Sequence, residues 1–380
     1  MEIRYPEYYK KFRCLAGECP DTCCAGWEIL VDRESEKRYR EVYRTDRNFG
    51  AKLRAHIRHG RIGGSGELCP FLDEGGLCEI YRKLGEDSLC RTCKRYPRHV
   101  EDYGNLHEVV LLLSCPEVCR LVLENHSGEY YVRKQPGRQG NLDGIDGKFL
   151  KLLLKVRERA WEIGKDRKIP MDERLFLALA LGHDVQGTLG RDAETCGSFK
   201  EAYKVLERKP GRSTGCAKGR ELERFLLMGD FMETLTKLEP VGGLWDGMLE
   251  ACRRSLYHEP DSRKRYGRDR EQFLLKNPGL SIQWERIFEY FLYSFLLAAL
   301  YDGDLYTKVK MAVFCTLAIE ELNLASWREQ DAAVSVEDQI KICHVFARQI
   351  ENSDGNRLEL ERRLKGKEFG IRRVKTALSV

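Results

Sequence analysis

Apolar residues recur at helical spacing through most of the chain beyond residue 147, and lose that regularity before it. Phe149, Leu152, Leu153, Val156 and Trp161 fall on one face of a helix. Pro170 suits a first helical turn, because its missing N–H would have no partner there; the helix it opens carries Leu175, Leu179 and Leu181. Ser198-Phe199-Lys200-Glu201 has the form of a capping box, in which the serine oxygen and the glutamate each satisfy an orphan amide. The same periodicity predicts helices over 220–237, 242–257, 281–301, 304–322, 335–351 and 356–366, with loops at 208–219 and 258–280. The most apolar segment, Tyr290 to Tyr301, is too short to cross a hydrocarbon layer of about 30 Å and reads as a buried core helix.

The first third has a different texture. Trp27 to Val31 reads as a short strand, and Asp32 as the N-cap of an exposed helix reaching about Tyr43. Gly60 to Gly66 is a flexible connection; no lysine follows it in the manner of a phosphate-binding loop. Leu106 to Ser114 is apolar and fits either a strand or a short helix. A stretch rich in Gly, Pro, Arg and Gln at 128–147 reads as a linker or long surface loop. The expected architecture is mainly α. A small, irregular, cysteine-rich metal-binding module with a few short strands (1–127) is joined through 128–147 to a larger all-helical domain (148–380).

Composition narrows the function. Of 380 residues 42% are hydrophobic and 33% charged, enough to bury a core and keep a solvated surface. A net charge of +5, from 65 basic and 60 acidic side chains, is too balanced for a nucleic-acid binder. The runs Arg263-Lys264-Arg265 and Arg372-Arg373 are short and read as solvated surface. The start of the sequence shows no secretory pattern, so a cytoplasmic protein without a membrane span is expected.

Cysteine placement changes the picture most. Of 15 cysteines, ten lie at or before residue 119. In a reducing compartment, thiols clustered in this way bind metal more often than they form disulfides. Cys14, Cys19, Cys23 and Cys24 form a first group; Cys69, Cys78, Cys90 and Cys93 form a second, and Cys115 and Cys119 follow. Thiolate sulfur is soft and anionic, which suits zinc and iron–sulfur clusters alike, and spacing does not choose between them. Adjacent Cys23 and Cys24 tend to point apart and can serve different metals. The Cys-x3-Cys-x2-Cys motif of radical S-adenosylmethionine enzymes is absent, because Gly26 follows Cys19-x3-Cys23 and Val122 follows Cys115-x3-Cys119 where a third cysteine is needed. No glycine-rich turn marks a Rossmann methyltransferase. Cys196, Cys216, Cys252, Cys315 and Cys343 are scattered and read as ordinary free thiols.

Several segments resemble one family. Pro6-x-Tyr8, Phe12-x-Cys14 and Cys19-x-Asp21-x-Cys23-Cys24-x2-Trp27 are similar to the opening of the flagellin lysine N-methylases. Cys69-Pro70-Phe71-Leu72, Leu77-Cys78-x-Ile80-Tyr81, Thr92-Cys93-x2-Tyr96-Pro97-Arg98 and Ser114-Cys115-Pro116-Glu117 follow in the family's order. The pattern also resembles the broader zinc- or iron-chelating cysteine-cluster proteins. Motif-level resemblance covers about residues 5–120. It implies methyl transfer from S-adenosylmethionine to flagellin lysines by an enzyme carrying an iron–sulfur cluster of the 4Fe-4S type, with zinc as the alternative metal. It also implies Cys14, Cys19, Cys23, Cys24, Cys69, Cys78, Cys93 and Cys115 as ligands, with Cys90 and Cys119 as spare thiols or supplementary ligands.

A lysine amine near pKa 10.4 must lose its proton before it can attack a methyl group, so a base or a desolvating site is needed. Tyr96, His99, Asp102, His107 and Glu108 are the candidates beside the cysteines, and Arg98 is a candidate for holding a cofactor carboxylate. The competing readings are a non-enzymatic metal or iron–sulfur carrier or sensor, and a related modifier of another protein or peptide.

Overall fold

The computed structural model describes residues 1–24, 29–63, 68–125, 128–134, 144–194, 199–208, 219–330 and 333–378. Its strands are β1 (Glu2–Pro6), β2 (Ile29–Leu30), β3 (Ile57–Arg58), β4 (Arg61–Ile62), β5 (Arg98–Tyr103), β6 (Leu106–Leu111) and β7 (Tyr130–Lys134). Five helices fall among them: α1 (Arg33–Val42), α2 (Arg47–His56), α3 (Glu79–Leu84), α4 (Arg91–Arg95) and α5 (Pro116–Leu123). From there the chain is helical: α6 (Gly147–Lys165), α7 (Met171–Glu194), α8 (Lys200–Glu207), α9 (Arg220–Leu235), α10 (Trp245–Arg253) and α11 (Ser262–Lys276). The last six are α12 (Leu280–Phe295), α13 (Ala299–Asp302), α14 (Leu305–Gln330), α15 (Val336–Glu351), α16 (Asp354–Leu364) and α17 (Ile371–Leu378).

Two hydrophobic cores organise these elements. The small one gathers Ile29, Val31, Tyr39, Phe49, Leu53, Ile62, Phe71 and Ile80 with Cys69 and Cys90. The three short strands β2-β4-β3 and helices α1 and α2 surround it. Asp32 caps α1 by accepting from the Ser35 amide, as expected, and Asp46 caps α2 through the Phe49 amide. Gly50 lets α2 lie against the end of α1, since a Cβ there would fall 2.4 Å from the Tyr43 Cα.

The large core is built on α12 and α14. α14 is buried around its whole circumference, so it runs through the middle of the helical body rather than along its surface. The second sheet, in the order β5-β6-β1-β7, packs into this core through Tyr103, Leu106, Val110 and Leu111. β1 runs parallel to β6 and antiparallel to β7.

The chain is therefore mainly helical, with two corrections to its expected outline. Every described element beyond residue 147 is helical, as expected, and the four-stranded mixed sheet that packs against them is drawn from residues 2–134. Leu106–Leu111 is one of its strands, and the span read as a linker contributes another, Tyr130–Lys134. The sequence of β7, rich in aromatic and β-branched residues, finds a partner in β1 more than a hundred residues away, a pairing that local composition does not reveal. The expected loop at 258–280 contains α11. Its buried stripe is Ser262, Tyr266, Arg270 and Phe273, so polar members interrupt the hydrophobic period. The capping serine Ser198, most of 208–219, and Cys196 and Cys216 lie outside the described residues.

Several buried charges of the large core are met by opposite charges. Arg157 of α6 makes a two-pronged bridge to Glu108 of β6, at 2.7 and 2.5 Å, with both side chains almost fully buried. Arg224 of α9 and Arg270 of α11 share Asp172 and Glu320 at 2.6–3.0 Å. Tyr257 and Tyr266 donate to Glu321 next to them, at 2.7 and 2.5 Å. Glu285 of α12 holds Arg167 and Arg174, and a Cβ on Gly128 would collide with the neighbouring Arg286. Gly128 also has a positive φ of 59°, so two independent restrictions favour glycine there.

Candidate functional site

The thiols fall into two neighbourhoods that meet at Cys23-Cys24. In the first, the Cys69 amide donates to the Cys24 carbonyl at 2.7 Å, bringing together segments forty-five positions apart. A bridge between Leu72 and Cys78 folds the next turn back. Cys90 is the N-cap residue of α4, held by the Arg91 amide on Asp32 at 2.8 Å and by the Thr92 hydroxyl on the Leu30 carbonyl at 2.7 Å. Cys69 and Cys90 are thereby buried in the small core, and Cys24, Cys78 and Cys93 pack against it.

Within this group the thiols hydrogen-bond to one another. Cys93 donates to Cys90, which raises the Cys93 thiol and lowers Cys90. Cys23 donates to Cys24; that bond lowers Cys24, but donation to Cys69 and burial outweigh it and take Cys24 to about 12. Cys69, at the accepting end, is lowered by its bond from Cys24. Cys78 is raised by burial. Cys69 and Cys90 are thus the two sulfurs readiest to become thiolates.

The second neighbourhood lies against the helical body. Cys19, Cys23 and Cys115 lie near enough that ionising one would hinder ionising the others, and burial pushes Cys115 to about 12. Cys14 is exposed and sits within electrostatic reach of Cys19. Cys119 is fully buried and donates to the Leu113 carbonyl at 2.9 Å, the arrangement of a core thiol. Cys252, Cys315 and Cys343 are also buried in the large core, as expected of scattered cysteines.

Among the described residues, no three His, Cys, Asp or Glu side chains are grouped as a ligand set around a common point. A metal centre therefore rests on donor chemistry and not on coordination geometry. That chemistry fits. Several soft sulfurs from distant segments share one small core, and two of them are biased toward the anionic form that a thiophilic metal or an iron–sulfur cluster requires.

The remaining candidates are dispersed. Tyr96 is covered beside the second thiol group, its hydroxyl 3.3 Å from the Ser114 hydroxyl, and burial raises it far above its ordinary range. His99 is exposed on β5 and bonded to Glu101 at 2.6 Å. Asp102 and His107 face each other across the β5–β6 hairpin at 3.3 Å. The Arg98 guanidinium lies over the Phe12 and Tyr9 rings, 4.9 and 5.8 Å from their centroids. Glu108 is locked to Arg157 and is not available as a base.

Residues singled out by the structure alone come from α15. Arg348 stands 3.0 Å from Asp21 and donates to the Thr22 carbonyl at 3.0 Å, within the Cys19–Cys24 loop. His344 lies 3.5 Å from the same Asp21 oxygen. Burial lowers His344 to about 4, and Arg348 and Lys341 act in the same direction against the pull of Asp21. An unfolded imidazole takes up its proton near 6.5, before the folded one does. Stability from this group is therefore complete above 6.5 and lost as pH falls toward 4, by ~3 kcal/mol over the window. His344→Gln should flatten that part of the stability–pH curve in urea titrations at stepped pH; an unchanged slope would contradict it.

A match to the C-terminal domain of FliB lysine N-methylase covers residues 157–373, more than half of the chain and nearly all of its helical body. The chain belongs to the FliB lysine N-methylase family. Relatives of this FliB-family chain include the flagellar biosynthetic protein FliU of Salmonella muenchen and the lysine-N-methylases of Salmonella typhimurium and Salmonella choleraesuis. Each is 30% identical to it over 133 residues. The aligned stretch is 33% of this chain, 79% of FliU and 33% of each lysine-N-methylase. No solved structure is significantly similar. The FliB match includes α9, α11, α14 and α15, and with them both the Arg224 network and the helix that touches the cysteine loop. No helix among the described residues is long and apolar enough to cross a membrane.

Proposed function

We propose that this FliB-family protein transfers a methyl group from S-adenosylmethionine to lysine side chains of flagellin, in the cytoplasm, and that its N-terminal thiols hold an iron–sulfur cluster or zinc. The observation that carries the reading is the family match across residues 157–373, joined to a cysteine arrangement suited to a soft metal. The lysine nitrogen gives up a proton, its lone pair forms the new N–CH3 bond, and the methyl–sulfur bond of the sulfonium breaks to release S-adenosylhomocysteine. Cys24, Cys69, Cys78, Cys90 and Cys93 would hold the centre from the small core, with Cys19, Cys23 and Cys115 on its helical side. When bound, such a centre supplies positive charge and an attachment point for a carboxylate or amine.

Tyr96 is the one candidate from the sequence that stands next to these thiols. Because burial keeps its hydroxyl protonated, its role is to donate a hydrogen bond and not to accept the lysine proton. Incubating the protein with flagellin and S-adenosylmethionine should add methyl-sized mass increments to flagellin lysines. If intact, metal-loaded protein adds none, the flagellin reading fails and the carrier or other-substrate readings replace it.

A further inference from the structure

Helix α15 carries three polar residues, His344, Arg348 and Glu351, spaced four and three positions apart and therefore on one stripe. The stripe touches two separate cysteine-bearing segments. Arg348 grips Asp21 and the Thr22 carbonyl, both at 3.0 Å, and His344 sits against the same Asp21. Asp21 and Thr22 lie between Cys19 and Cys23. One turn further on, the Glu351 carboxylate accepts the amides of Ser114 at 2.8 Å and Leu113 at 3.3 Å, immediately before Cys115. Tyr290 of α12 donates its hydroxyl to that carboxylate and its oxygen accepts the Leu113 amide at 2.9 Å, closing the arrangement from below.

This is costly chemistry for a mere packing contact. His344 and Arg348 are 2% and 4% exposed, and a buried guanidinium needs several partners to offset its lost hydration. Its partners here are not neighbouring helices but the Asp21–Thr22 loop, which has little secondary structure of its own. The charge of Arg348 reaches both Cys23 and Tyr96.

We propose that the His344–Arg348–Glu351 stripe is a positioning device by which the helical domain anchors the Cys19–Cys23 loop and the turn before Cys115 side by side, so that their thiols can close on a soft metal or iron–sulfur centre. These are positioning residues: they act through the backbone of the two segments and supply no ligand. Metal retention in the N-terminal region then depends on a helix more than two hundred residues away in sequence.

The inference rests on the reading that the thiols hold a centre, and the experiment separates the two. Full-length protein purified without air is loaded with iron and sulfide, or with zinc, and challenged with a chelator. Asp21→Asn, Arg348→Gln and Glu351→Gln should each release metal about 10–100-fold faster and, with iron, shift the visible charge-transfer bands. Arg348→Lys, which keeps the ion pair and loses the hydrogen bond to the Thr22 carbonyl, should fall between. Asp21→Asn leaves the buried Arg348 without its counter-charge and lowers the helical melting transition, so metal release is compared well below that transition, where the helical signal matches the unaltered protein. If that variant and the Arg348 pair release metal at the unaltered rate with unaltered bands, while Cys24→Ser loses it, the stripe is packing and the proposal falls alone. If the unaltered protein takes up neither metal, the thiol-centre reading falls and takes the proposal with it. Should Arg348→Gln fail to fold, Asp21→Asn decides.

Discussion

On the proposed thiol centre and methyl transfer, Cys93→Ser is expected to purify without iron or zinc and without methylase activity, whereas Cys252→Ser keeps both. Cys93 donates to Cys90 at the start of α4 and packs against the small core among the other thiols. A serine oxygen is a harder and far less acidic donor than sulfur, and it does not substitute for a thiolate on a soft metal. Cys252 shares the residue type but lies in the large core, its thiol 3.8 Å from the Glu321 carbonyl, a contact a hydroxyl can take over. Because an unfilled site in a small domain leaves folding energy unclaimed, loss of metal should also lower the stability of the 29–95 region. Metal analysis and limited proteolysis of both variants provide the check. Equal metal content in the two would place the centre elsewhere.

Arg224→Met should destabilise the helical body by ~3–5 kcal/mol, the cost of breaking a buried ion network from one side. Arg224 is 1% exposed and bridges Asp172 of α7 to Glu320 of α14 at 3.0 and 2.9 Å, with Glu321 at 3.7 Å. Without it, three buried acids face the single guanidinium of Arg270. The urea midpoint of helical unfolding reads the effect directly. A loss below ~1 kcal/mol would mean that Arg270 alone neutralises the cluster. Arg263 makes a useful comparison, because it lies on the outer side of α11 where a surface substitution costs little.

These two sites also mark what a sequence puts forward and what it leaves hidden. The cysteines announce themselves because thiols are rare, clustered and chemically specific, and the segments that carry them have a recognisable order. Helices α6, α9, α15 and α16 follow from periodicity within a few residues, and the Asp32 cap follows from local hydrogen bonding. The Arg224 network was illegible for a definite reason. Glu320-Glu321 looks like a polar interruption of an apolar run, and its meaning depends on α7, α9 and α11 arriving around it. The same cause hid α11, whose buried stripe contains an arginine. Likewise, His344, Arg348 and Glu351 read as ordinary helix polarity until the fold brings Asp21 and Ser114 to them. Long-range pairing, of charges or of strands, is the information that a local pattern does not hold.

The place of β1 has a bearing on how the protein is made. Residues Glu2–Pro6 are an interior strand of the second sheet, flanked by Leu106–Glu108 on one side and Tyr130–Lys134 on the other. During synthesis the segment emerges before both of its neighbours, which leave the ribosome more than a hundred residues later. Until then its amides and carbonyls stay hydrated and its tyrosine side chain uncovered, while the small thiol core downstream can already collapse. Assembly of the two cores is thus out of step with the order of translation, and β1 is made well before the strands that secure it.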